Sequence, residues 1–258
     1  MTKLPKNKSF IDVSDYARPF ALALVKLLMP TKIGAYTITT AFLVVGVLAF
    51  YLIYSDQNLF LASFLILLKS MLDAADGEIA RRRNEPSMVG RYLDSVFDFI
   101  INALLLYSIA HVFDQNIGLM LIALVLFQLQ GSLYNYYYLI KRYQVNGDLT
   151  SRIFEREEPK PYKRDNVAVM KVLHKLYLLI YGWQDYIIYK LDKNAINTKE
   201  LPSWFLTLVS FFGLGFQLLI FAIFVMFGIH YYTFYFFIFP YTLLAIIIIV
   251  IRKLFIKY

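Results

Sequence analysis

The sequence predicts an all-α integral membrane protein: six transmembrane helices preceded by an interfacial amphipathic helix, with an amphipathic cytoplasmic insertion between spans 4 and 5. Three observations lead there. Of the 258 residues, 59% are hydrophobic and 18% aromatic, with a mean hydropathy of +0.57, far from the make-up of a soluble domain. Six runs reach the roughly 20 apolar residues that cross a bilayer, at about 33–54, 57–80, 88–112, 116–140, 201–227 and 231–251. The connections "YSDQN", "HVFDQN" and "GIHYY", which alternate with the longer polar ones, contain no Lys or Arg.

Taken in order, residues 1–19 are charged and the apolar stretch behind them stops at Pro30 with no small-residue cleavage pattern. No cleavable signal peptide is expected, and residues 9–29 read as the interfacial helix. Six spans put both termini on one side, and every basic residue falls on or near that side, which the positive-inside rule makes the cytoplasm. The net charge of +8 then orients the protein and faces anionic lipid. No basic domain remains to bind nucleic acid. Between spans 4 and 5, "NGDLTSRIFEREEPKPYKRDN" is polar and Pro-broken, a cytoplasmic loop. Residues 167–191 are apolar but interrupted by Lys171, His174, Lys175, Gln184 and Asp185, and counting them as a span would carry Arg252 and Lys253 outside. They read as a helix on the membrane surface, inside an insertion covering 143–200. Pro240 is expected to kink the last span. Zero cysteines exclude disulfides and thiolate metal sites, and the whole chain, 1–258, forms a single membrane domain with no room for a large soluble one.

The most charged stretch, "LDAADGEIARRRNEPSMVGRYLDSVFDFI" at 72–100, lies between two apolar runs. Asp73, Asp76, Gly77 and Ala80 fall at i, i+3, i+4 and i+7, setting two carboxylates beside a stripe without large side chains. Gly90, Asp94 and Asp98 repeat the pattern on the next helix. If the two helices form a hairpin, four carboxylates converge and repel one another. A divalent cation is the ordinary compensator, and all-oxygen ligands favour Mg²⁺, Mn²⁺ or Ca²⁺ over zinc. His111, His174 and His230 are scattered and are not expected to ligate it. A single such aspartate would serve as a helix cap or a partner for Arg81 to Arg83; the whole set is not explained that way. Arg82 and Arg83 read as an orientation signal. Lys69, one turn before Asp73, either snorkels or faces the pocket to meet an anionic acceptor.

The run D-x2-D-G-x2-A-R-x8-G-x3-D-x3-D, from Asp73 to Asp98, resembles the signature of the CDP-alcohol phosphotransferase family at every fixed position. The six-span layout with a preceding interfacial helix resembles that family too. The first span departs from it, because Ile38-Thr39 follows Ala35-Tyr36 where the family often has Pro-Asn. The resemblance implies a phospholipid-synthesis enzyme that transfers a phosphatidyl group from a CDP-linked lipid donor, CDP-diacylglycerol in the first instance, to a small hydroxyl acceptor, with release of CMP. It implies that Asp73, Asp76, Asp94 and Asp98 hold one or two Mg²⁺ or Mn²⁺ ions, with Asp98 also the base for the acceptor hydroxyl. Thr39, Gly77, Ala80, Arg81 and Gly90 join Asp73 and Asp76 as donor-binding positions. It further implies a homodimer in a bacterial inner membrane, its active site facing the cytoplasm. Lys69, Arg91, Lys141 and Arg142 favour a phosphorylated polyol, inositol phosphate or glycerol phosphate, over serine or an amino alcohol. The competing class is a cation transporter built on the same aspartates, which would place them near the bilayer midplane instead of at the cytoplasmic end.

Overall fold

The computed structural model describes residues 4–147 and 151–256, and all the regular structure among them is helical. The principal helices are α1 (Arg18–Leu28), α2 (Ala35–Tyr54), α3 (Leu59–Arg82), α4 (Met88–Val112), α5 (Ile117–Gln144), α6 (Val167–Tyr177), α7 (Trp183–Leu191), α8 (Ser203–Ser210), α9 (Leu214–Met226), α10 (Thr233–Ile238) and α11 (Pro240–Phe255). Among the described residues, five stretches are long and apolar enough to cross a membrane: α2, α4, α5, Ser203–Met226 and His230–Phe255. At 24 residues, α3 is about 36 Å long, but Lys69, Asp73 and Asp76 interrupt its apolar content. Those same residues build the site.

Polar residues set the helix boundaries. Asn58, Ser87, Asn116 and Asn166 accept hydrogen bonds from backbone N–H groups in the first turns of α3, α4, α5 and α6, satisfying donors that a helix start leaves without a partner. Just past α2, α3, α4 and α5, the chain takes positive φ at Asp56, Asn84, Asp114 and Asn146. Asn and Asp tolerate that left-handed turn better than other side chains. The short connections then gather at one end of the bundle. The Tyr54 ring stacks on His111 with centroids 4.0 Å apart, Phe113 meets His230 at 4.8 Å, and Gln115 Nε2 donates to the Tyr231 carbonyl at 3.0 Å. The aspartate segment and the insertion lie at the opposite end.

Two apolar clusters hold the bundle. One joins α2, α3, α4 and α9 through Phe42, Ile66, Ile101, Leu105 and Phe221. The other joins α5, α8, α10 and α11 and reaches Ile188 and Ala195 of the insertion. Two long apolar runs are broken. Pro240 starts α11 directly after a break at Phe239, because its ring cannot follow a preceding turn of helix. The run 203–226 breaks at Phe211–Gly213, where the N-terminal segment crosses it. A Cβ on Gly215 would stand 2.0 Å from the Ser14 carbonyl oxygen, so only glycine permits that backbone approach.

The helix expected over 9–29 therefore begins only at Arg18. The residues before it are committed elsewhere: Val13 N donates to Ser210 Oγ at 3.0 Å, and Tyr134 OH donates to Asp12 Oδ2 at 2.5 Å. Helix α1 then buries Ala21 and Val25 against Ala75 and Ile79 of α3. In the insertion, α6 and α7 are joined by a π turn at Leu178–Gly182. Their inner face buries Met170, Leu173 and Tyr177 on Met88, Val89 and Tyr92 of α4. Full burial of a side chain such as Met170 or Leu173 is worth about 1.5–3 kcal/mol. The outer face exposes Val169, Val172, Leu176, Leu179, Trp183 and Tyr186, a stripe at alternating steps of three and four residues.

Candidate active site

Helices α3 and α4 bring the aspartates together because each repeats its carboxylates at helical spacing on the face turned toward the other. Asp73, Asp76 and Asp94 each offer a carboxylate oxygen within 4.8 Å of the other two. Asp94 Oδ1 is buried and has no hydrogen-bond partner among the described residues, a costly state for a carboxylate unless something else engages it. The Thr39 hydroxyl donates to Asp76 Oδ2 at 2.6 Å and fixes that side chain from α2. Asp98 stands one turn below Asp94 and is bonded to the buried ammonium of Lys69. That ammonium also lies 3.9 Å from Asp73 Oδ2. Lys69 does not snorkel; it ties the fourth aspartate to the first.

These residues open onto a cavity of about 1290 Å³ at the end of the bundle. Thr39, Gly77, Ala80, Arg81 and Gly90 line it together with the four aspartates. Over Gly77 the nearest neighbour is the Arg81 guanidinium, whose Nη1 lies 3.2 Å from where a Cβ would be. Arg81 donates to Glu78 at 3.1 Å and Arg82 does so at 2.8 Å, while Arg18 approaches the same buried carboxylate at 3.5 Å. Glu78 thus collects three arginines at the rim. Arg83, also in the cavity lining, donates to the carbonyls of Leu28 and Thr31, tying α3 to the loop after α1.

Of the four basic residues expected on the acceptor side, Arg91 and Arg142 line the cavity. Arg91 is paired with Glu155 of the insertion, and the Arg142 guanidinium lies over the Tyr138 ring, 5.9 Å from its centroid. Lys69 sits beneath the aspartates. Lys141 donates to Glu200 at 2.6 Å and to the Leu201 carbonyl at 2.7 Å, and is not among the cavity-lining residues. Lys141 and Lys8 hydrogen-bond Glu200 and hold its pKa down to about 2.

The insertion closes one flank. Asp165 accepts from Ser87 Oγ at 2.6 Å, Met88 N at 2.9 Å and Tyr162 N at 2.9 Å, and so seals the start of α4. Burial alone would raise its pKa, but these donors outweigh burial and hold it below the usual carboxylate range. Arg91 and the Arg152 N–H converge on Glu155, whose backbone carbonyl meets His174 Nε2 at 2.8 Å.

The model of the CDP-alcohol phosphatidyltransferase family matches residues 32–188, more than half of the chain and every aspartate of the cluster. The chain belongs to this family. It is therefore a transferase of phospholipid synthesis that moves a phosphatidyl group from a CDP-alcohol within the membrane. No curated protein and no solved structure matches it.

Members of the family generally depend on a divalent metal, and the transferase's residues fit one: three carboxylates within reach of a common point, one of them with an oxygen buried and otherwise unengaged. Sequence reasoning overlooked Glu78, Glu155 and Asp165, which organise the cavity's arginines and the start of α4. Glu78 lies off the aspartate stripe, and the other two sit in an irregular loop whose pairings no local periodicity announces.

Proposed function

We propose that the protein transfers the phosphatidyl group of CDP-diacylglycerol to a phosphorylated polyol, inositol phosphate or glycerol phosphate, at the cytoplasmic face of a bacterial inner membrane, as a homodimer. The single observation that carries the reading is the grouping of Asp73, Asp76 and Asp94 within 4.8 Å, with Asp94 Oδ1 buried and otherwise unengaged.

Asp73, Asp76 and Asp94 would hold one or two Mg²⁺ or Mn²⁺ ions. Held there, such an ion would supply the positive charge that the donor pyrophosphate and the departing CMP require. Thr39 keeps Asp76 aimed. Gly77, Ala80 and Gly90 leave the nucleotide a surface with few side-chain atoms, and Arg81, lying over Gly77, exchanges part of its contact with Glu78 for a phosphate oxygen. On the other side of the cluster, Asp98 accepts the proton of the acceptor hydroxyl as that oxygen bonds to the phosphatidyl phosphorus and the bond to CMP breaks. Lys69 fixes the Asp98 carboxylate in place for that step. Arg91 and Arg142 meet the acceptor's phosphate.

This placement takes α3 as a sixth span beside the five long apolar stretches. In this reading α3 crosses with its charged turns at the cytoplasmic end, in contact with α2 and α9 and away from lipid, and the exposed stripe of α6 and α7 rests on the membrane surface, with Lys171 and Lys175 beside it. The test is incubation of purified protein with CDP-diacylglycerol and Mg²⁺ and a panel of inositol phosphate, glycerol phosphate, inositol, glycerol and serine, with CMP release measured for each. CMP release with a phosphorylated polyol is expected. Release only with serine would replace the acceptor class, and no release with any acceptor would remove the reading.

A further inference from the structure

One carboxylate in the cavity wall has no task in the chemistry described so far. Asp185, on α7, lines the same cavity as Asp94 and Asp98, yet it forms no hydrogen bond or ion pair with any described residue. Arg91, the one cation acting on its charge, is itself paired with Glu155. Burial, and then the charge of Glu155, push the Asp185 carboxyl up to about 7 against the pull of Arg91. A partly buried carboxylate that the fold leaves unsatisfied costs stability, and such costs are retained where a ligand supplies the missing partner.

Tyr181 shows how Asp185 stands relative to the reacting end. Its hydroxyl donates to the Ser95 carbonyl at 2.9 Å. Ser95 directly follows Asp94 on α4, so this contact sets the Tyr181 ring against the helix that carries Asp94 and Asp98; burial, and then the charge of Asp98, push the phenol's pKa up. Tyr177, Tyr181 and Asp185, four residues apart in turn, line the cavity from the insertion, as Asp98 does from α4. Gln184 does not satisfy its neighbour. Its Oε1 accepts from Ser132 Oγ at 2.9 Å and its Nε2 donates to the Ile180 carbonyl at 2.6 Å, which also pins α7 to α5 and fixes where residue 185 points.

We propose that Asp185 is an acceptor-selecting residue: it accepts a hydrogen bond from a hydroxyl of the polyol that does not react, while Asp98 takes the proton of the one that does. The inference rests on the proposed acceptor class and sharpens it, because a phosphate alone is served by Arg91 and Arg142, whereas Asp185 requires a second hydroxyl. A hydrogen bond to a charged partner in such a wall separates an acceptor that has the hydroxyl from one that lacks it by roughly 10- to 100-fold.

The experiment compares kcat/KM for glycerol 3-phosphate and for 3-hydroxypropyl phosphate, which lacks only the middle hydroxyl, with serine as a third acceptor. It uses the full chain and the variants Asp185→Asn and Asp185→Ala, each checked for an unchanged melting temperature and an unchanged KM for CDP-diacylglycerol. The wild type should prefer the polyol by at least about 10-fold, and both variants should bring that ratio close to one by losing rate on the polyol alone. A ratio that survives in a folded variant, or one near unity in the wild type, overturns the assignment while leaving the parent reaction intact. A wild-type preference for serine that the variants abolish overturns it too, since Asp185 would then face an ammonium. A wild type that releases no CMP with any acceptor sinks the parent reading as well.

Discussion

Arg252 and Asp192 form an ion pair buried between the last helix and the end of α7, both almost inaccessible to solvent. Asp192 Oδ2 also accepts from Tyr137 OH at 2.7 Å, and its backbone carbonyl accepts from Tyr136 OH at 2.9 Å. Replacing Arg252 by Met keeps most of the packed volume and removes the charge, so Asp192 keeps one phenol and loses its counter-ion. Breaking a buried pair from one side costs about 3–5 kcal/mol, because the remaining charge is left without compensation. At about 2–4 °C per kcal/mol for a chain of this size, Arg252→Met should lower the melting temperature by roughly 6–20 °C. Adding Asp192→Asn removes the orphaned charge and should return a large part of the loss. Neither residue lines the cavity, so CMP release per folded molecule should not change. The assay is thermal unfolding in detergent beside activity below the transition. An Arg252→Met protein that melts with the wild type, or a double variant no more stable than the single one, would refute the reasoning.

Gly215→Ala drives a Cβ against a backbone carbonyl that cannot rotate aside, so a loss of about 1–3 kcal/mol is expected, with faster proteolysis before Arg18. A melting temperature equal to the wild type would contradict the close approach. Asp165 is held below its usual pKa by donors, so its contribution is present above the unfolded value of about 3.9 and disappears as pH falls through the lower folded value. Amide exchange at Met88 and Val89 should therefore rise only below about pH 4 in the wild type, and at neutral pH in Asp165→Ala; an unchanged variant would rule out the seal. For topology, single cysteines at the exposed positions 56 and 232 should be labelled only from the outside and one at 160 only from the cytoplasm. The reverse pattern would invert the protein.

The aspartate cluster was legible because its information is local: spacings of three and four along two adjacent helices determine which faces meet, and one short turn joins them. The gathering of the three basic-free connections at one end followed in the same way from the apolar run lengths, and Pro240 marked its own break. Other features depend on pairs far apart in the chain. Nothing near Arg252 points to Asp192, which is why it read as an orientation charge. The pairing of Arg91 with Glu155, 64 positions away, was likewise out of reach of local pattern. The break before α9 and the late start of α1 share a cause, the Ser14 backbone crossing Gly215, and an amphipathic pattern over 9–29 carries no trace of that crossing. Asp185 appeared in the sequence only as an interruption of an apolar helix; its place in the cavity wall needed the fold.

The central claim is that Asp73, Asp76 and Asp94 serve the phosphatidyl transfer by holding a divalent cation. The most direct measurement is CMP release from CDP-diacylglycerol by EDTA-stripped protein titrated with Mg²⁺ or Mn²⁺, for the wild type and for Asp94→Asn at equal folded concentration. The wild type should be silent in EDTA and recover fully as metal is added. Asp94→Asn should stay at least about 100-fold below it at every concentration, since the loss removes electrostatic stabilisation of the reacting charge. Undiminished CMP release in EDTA, or an Asp94→Asn protein that turns over with the wild type, would contradict the account.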